Sequence, residues 1–302
     1  MSIPRILSLG ALVMSLLSVS AGRAEAGAPE PIAIVYSLTG EASLALPDAP
    51  RRSLRLLDRL PSGTVLELGS SSRLALAFVN GLRYELGAGS RVMLGPKGLA
   101  SYTGPVRPLP RVPLLPALAP IAKDDHPGPS GGAVPIRGEQ IDGLYPRRGA
   151  AVLAGKAILR FQPVACAGKY RVEVEDRQGN VIFGIETTAS EVPLPEDALQ
   201  PGQHYRWIVR TLDRPGAVAR GGADLLTLSK DAAWAREEAR KTLEAESSLS
   251  LPLLAEIDRA LGLWLEARED LRKAIEIGPA DSALREALTA IETRLEDGDD
   301  SA

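Results

Sequence analysis

The stretch SRLALAFVNGLRYELGAGSRVML, residues 72–94, constrains the fold more than any other part of the chain. Leu74, Leu76 and Phe78 alternate with Arg73, Ala75 and Ala77, and after Asn80-Gly81 the alternation resumes at Leu82, Tyr84 and Leu86. A period of two puts alternate side chains on opposite faces of a strand, and Asn-Gly between two such runs is the strongest local hairpin signal. A two-residue type I′ turn is expected, with positive φ at both central positions. Gly87 and Gly89 mark the next reversal. Together with the β-branched run IAIVYSLTGEASLAL, residues 32–46, this predicts a meander of short strands.

The larger stretch LPSGTVLELGSSSRLALAFVNGLRYELGAGSRVML resembles the FecR-type domain. Gly63, Ser70 to Ser72, Gly81, Ser90 and Val92 stand at the family's turn and strand positions. The resemblance implies a β domain over residues 27–104. The anti-sigma segment and membrane helix of the family's regulatory members have no counterpart here, so no transmembrane signalling role is expected. Proline then becomes dense in GPVRPLPRVPLLPALAPIAKDDHPGPSGGAVP, which predicts an extended spacer over residues 105–134.

Four further runs follow between residues 135 and 229. Ala157, Leu159 and Phe161 form one, and Tyr170, Val172 and Val174 another. Val181, Phe183 and Ile185 are the third, and Tyr205, Trp207 and Val209 the fourth. Strands at this spacing predict an antiparallel sandwich. The stretch LQPGQHYRWIVRTLD resembles the tyrosine corner of immunoglobulin-like sandwiches, and the module as a whole resembles a fibronectin type III domain. The resemblance implies that the Tyr205 hydroxyl bonds back to the preceding connection.

From residue 230 to 302 the composition turns helical. DAAWAREEARKTLEAESS opens on Asp231 as N-cap, and DSALREALTAIETRLED begins at Asp281-Ser282. Between them, LPLLAEIDRALGLWLEAREDLRKAIEIGP resembles a tetratricopeptide repeat. Gly262 and Trp264 fall at its turn, Ala267, Leu271 and Ala274 line its second helix, and Pro279 closes the unit. Asp258 stands where the family has an apolar residue. One repeat cannot bury its own faces, so the flanking helices are expected to cap it. In the family the exposed face of the first repeat helix contacts partners, and Glu256 and Arg259 are the partner-binding candidates by position.

The first 26 residues read as a signal peptide. Arg5 precedes an apolar run of about 14 residues from Ile6 to Val19, shorter than a membrane span. Ala24-Glu25-Ala26 offers cleavage after Ala26, so a periplasmic or otherwise exported protein is expected, with no transmembrane span after cleavage. Cys166 is the single cysteine, which leaves no internal disulfide; a half-buried small residue is the reading for it. Residues 231–302 carry 18 acidic and 9 basic side chains, whereas residues 27–230 carry 19 and 24. The two ends can therefore attract each other. With a net charge of −3 and 4% aromatic residues, nothing advertises nucleic acid as a partner.

Chemistry is thinly marked. GPSGG, residues 128–132, fits a nucleophile pattern but lacks the strand before it and the helix after it. KDDH, residues 123–126, has no second ligand pair, since His126 and His204 are the two histidines and His204 opens a strand. EDGDD, residues 296–300, is too short for a calcium loop. No cofactor, metal or catalytic residue is expected, and the chain does not read as an enzyme. The expected function is a non-catalytic envelope scaffold or adaptor that binds a protein partner. Cell-wall polysaccharide or peptidoglycan binding is the alternative, and a hydrolase assembled from scattered residues is a third reading with no motif behind it. The expected fold is multidomain: a FecR-like β domain, an immunoglobulin-like β-sandwich, and an all-α tetratricopeptide-like region.

Overall fold

The computed structural model describes residues 30–46, 49–113, 140–147, 149–213, 218–244, 248–278 and 281–296. The signal segment, GPSGG, KDDH, Pro279 and residues 297–302 of the acidic tail lie outside them. The described residues form β-sheet sandwiches followed by four C-terminal helices.

The first ten strands make two five-stranded sheets. One contains β1 (Pro31–Thr39), β4 (Arg59–Pro61), β6 (Arg73–Phe78), β7 (Arg83–Leu86) and β10 (Val106–Leu109), in the order β10-β7-β6-β1-β4. The other contains β2 (Ala42–Ala45), β3 (Arg52–Ser53), β5 (Val65–Leu68), β8 (Arg91–Gly95) and β9 (Gly98–Thr103), in the order β3-β2-β5-β8-β9. Val35, Leu74, Leu76 and Phe78 from the first sheet meet Leu44, Leu66, Val92 and Leu94 from the second.

Two expectations change here. The hairpin loop holds three residues rather than two: the Phe78 amide donates to the Leu82 carbonyl at 2.8 Å and the Gly81 amide to Phe78 at 2.9 Å. Gly81 has φ of +84° and Asn80 keeps a negative φ, so the turn is a type I turn with a glycine bulge. The Asn80 side chain accepts the Leu82 amide at 3.1 Å, which favours that closure. The proline-rich segment also begins later than its composition suggests. Val106–Leu109 pairs antiparallel with β7, and Val112 is buried. Proline cannot donate to a ladder, but β10 lies at the sheet edge, where no outer partner needs its amide.

The second sandwich pairs β11 (Ala151–Val152), β17 (Arg220–Thr227), β16 (His204–Thr211), β13 (Tyr170–Glu175) and β14 (Val181–Thr187) in that order. A two-stranded sheet of β12 (Ile158–Arg160) and β15 (Glu191–Pro193) faces it. Leu159 and Phe161 pack with Tyr170, Val172, Val174, Trp207 and Val209 between the layers. The Tyr205 hydroxyl accepts the Gln200 amide at 2.8 Å, the corner bond implied by the resemblance. Of the run Val181, Phe183, Ile185 only Phe183 packs against the core as the alternation predicts; β14 is the sheet edge, and Val181 and Ile185 stay exposed. Cys166 is exposed in a turn at φ +63°, not half-buried.

The helices are α1 (Lys230–Glu244), α2 (Leu251–Ala260), α3 (Trp264–Ile277) and α4 (Ser282–Glu296). Ser229, not Asp231, caps α1, its hydroxyl accepting the Ala232 amide at 3.2 Å; Asp231 lies in the first turn. Asp281 caps α4 through the Ala283 amide at 2.8 Å. The helices do not stack into a free-standing array. Ala239, Leu243, Leu253, Leu254 and Ile257 of α1 and α2 cover Ile34, Tyr36, Ala75 and Ala77 on the outer face of the first sheet. That explains the composition of β6: its leucines fill the β core, and its alanines leave room for helices on the other side.

Candidate functional site

The helical region is the seam of the molecule, and three features of it carry charge or an opening. The first contains the residues singled out by position. Glu256 on α2 is 6% exposed, and its carboxylate accepts from Arg59 of β4 at 2.8 Å and from Arg259 at 2.9 Å. Burial raises the pKa of Glu256, and the Arg59 charge offsets it. Beside this pair, Arg55 donates to Glu286 of α4 at 2.8 Å. Glu256 and Arg259 therefore meet their partner within the chain, at the edge of the first sheet.

The second feature is a buried ion network that sequence reasoning missed. Asp258, 1% exposed, takes Arg236 of α1 in a two-point contact at 2.6 and 2.8 Å and Arg240 at 3.1 Å. Arg240 continues to Asp270 of α3 at 2.6 Å. Planar guanidinium forks suit such two-point contacts. Burial works against the charge of Arg240, but Asp270 and Asp258 outweigh it and hold its pKa above the ordinary value. Burial pushes the Asp270 carboxyl up, and Arg240 opposes the rise. The available signal was Asp258 itself, an acid in an otherwise apolar stripe. Its arginines lie on another helix, and spacing along one helix does not report them.

The third feature is a junction with the second sandwich. The Ala151 amide donates to the Gly262 carbonyl at 2.9 Å, and the Trp264 indole donates to the Gly149 carbonyl at 3.3 Å. Arg294 lies 4.6 Å from the centre of the Trp264 ring and Arg147 donates to its carbonyl. Beside this junction, Tyr145, Lys156 and Arg160 of the sandwich face Glu266, Arg268 and Arg272 of α3 across a cleft of about 390 Å³. Burial, then Glu266, raises the Tyr145 pKa. Burial also raises that of Glu266.

Among the described residues, no group of three or more His, Cys, Asp and Glu side chains is placed to hold a metal ion. No helix among them is long and apolar enough to cross a membrane.

The chain matches no family model, and no curated protein matches it. Among solved structures, it is similar to an fn3 domain of the human collagen alpha-1(XX) chain, at 24% identity, covering 34% of this chain and 95% of that one, with a TM-score of 0.25. It is similar to a two fibronectin type-III domain segment from chicken tenascin at 12% identity, covering 66% and 95%, with a TM-score of 0.23. CopC from Methylosinus trichosporium OB3b overlaps 30% of this chain and 94% of its own at 18% identity, with a TM-score of 0.24. Scores this low carry no argument, and the sandwich rests on its own strand order and core.

Proposed function

We propose that the chain is a non-catalytic, exported adaptor of the cell envelope that binds an extended segment of a protein partner along the edge of β14. The observation that carries this is the edge itself. β14 ends its sheet, and Val181, Ile182 and Ile185 are 53%, 40% and 39% exposed. Edge strands are ordinarily blunted by charge, proline or brevity, yet this one runs seven residues with Glu186 as its one charge. An added strand would gain ladder hydrogen bonds and apolar contacts on both faces. In this reading Glu256 and Arg259 serve binding indirectly, by fastening α2 to the first sheet.

Crosslinked capture from periplasmic extract tests it, with the parent chain beside Ile182→Lys and Ile185→Lys variants. Defined proteins held by the parent and lost by both variants are the expected result; an unchanged set defeats the edge. Two exposed rings, Tyr102 on β9 and Trp234 on α1, favour wall polysaccharide as a second reading. Co-sedimentation with purified wall material, abolished by Trp234→Ala or Tyr102→Ala, would select it.

A further inference from the structure

The cleft between the second sandwich and α3 is lined by more positive charge than its neighbours neutralise. Arg160 is taken by Glu191 at 3.0 Å and Arg272 by Glu292 at 2.5 Å. Glu269 also lines the cleft and is paired with Lys273 at 2.9 Å. Arg268 is left half-buried between them, and among the described residues it makes no hydrogen bond or ion pair. Its pKa is lowered, first by burial and then by the like charges of Arg272 and Arg160. A guanidinium remains protonated all the same, so the charge stays, opposed only at a distance by Glu292, whose hydrogen bond goes to Arg272. Lys156, an exposed residue of the lining, adds a further cation.

From this geometry we infer that the cleft is a binding site for a small ligand carrying two or more oxyanionic charges, phosphate or carboxylate, with Arg268 as its central contact. A planar fork offers either group two parallel N–H donors. A volume of about 390 Å³ falls within the range of small-molecule sites. Arg160 and Lys156 belong to the sandwich and Arg268 and Arg272 to α3, so the ligand would join the two. Glu266 on the same wall disfavours an anion beside it, which places the anionic groups toward Arg268 and Lys156. This inference stands independently of the β14 edge.

Calorimetric titration of the full chain tests it, with inorganic pyrophosphate in one arm, citrate in a second and acetate as the monovalent control. One-to-one saturable binding of pyrophosphate or citrate is expected, weakening as salt is added. The arm that binds more tightly identifies the phosphate or the carboxylate source. Arg268→Gln is expected to weaken binding about tenfold or more, the loss of a charge-assisted contact. Arg272→Gln, at an exposed position, is expected to weaken it about threefold, and keeps the test decisive if the Arg268 variant fails to fold. Absence of saturation in both arms overturns the inference, and so does affinity unchanged in a folded Arg268→Gln or Arg272→Gln chain.

Discussion

Gly262 shows what a single residue can and cannot disclose. Its place at the turn between α2 and α3 is legible from the sequence, because a helix that must reverse needs a position tolerant of positive φ. Its second duty is not legible. The Cβ of any other residue would stand 3.1 Å from the Ala151 nitrogen and the Gly149 oxygen, where the second sandwich meets the helices. Gly262→Ala is therefore expected to lower stability by about 2–3 kcal/mol, part from the left-handed backbone at φ +77° and part from the crowded junction. Gly179→Ala provides the contrast, since Gly179 has φ of +82° with nothing within 4 Å of the added carbon. It should cost about 1–2 kcal/mol, the backbone share alone. Denaturant midpoints for the two variants measure the difference. Equal losses would show that the junction tolerates a methyl group. The Asn80-Gly81 turn teaches the same lesson in reverse: the residues mark the hairpin, but the side-chain bond from Asn80 to Leu82 selects the three-residue closure.

At the scale of elements, periodicity marks strands such as β6, β7, β13 and β16, because burial on one face leaves its mark at every second position, whereas composition and capping residues mark the helical region. Periodicity failed where burial has two sides or is only partial. β6 is buried on both faces by two different layers, and β14 carries an apolar alternation of which only Phe183 reaches the core while Val181 and Ile185 stay exposed. Helix α2 holds the sharper misfit. Asp258 interrupts the apolar face of α2 because α1 supplies Arg236 and Arg240 in place of an apolar neighbour. Asp258→Ala should cost about 3–5 kcal/mol, since it strands Arg236 in the interior. The double variant Arg236→Met, Asp258→Leu should recover most of that loss, with Arg240 still held by Asp270. Thermal melts of the parent, single and double variants decide the matter. A double variant as weak as the single one would mean that the network specifies the α1–α2 packing and not merely its charge balance.

At the scale of the whole molecule, the chain closes on itself. A modular sequence reads as beads in series, because composition and motifs are local while sheet-to-helix packing between residues 34 and 257 is not. The opposite charge of the two ends was the one long-range signal, and it is realised in Arg59–Glu256 and Arg55–Glu286. The consequence concerns any attempt to separate the helices from the rest. A chain ending at Ser229 would keep all seventeen strands described here but uncover Ile34, Tyr36, Ala75 and Ala77 on the first sheet. An apolar face of that kind must find another cover or bind itself. Such a chain is expected to bind a hydrophobic dye, to self-associate, and to lose the cooperative transition of its first β module. The second sandwich, with its own core around Trp207, should keep its fold. Dye fluorescence, sedimentation and Trp207 emission during unfolding follow the two modules apart. A truncated chain that stayed monomeric and dye-negative would show that the helices are an accessory. The expected result makes them the third layer of the first module, delivered from the far end of the sequence.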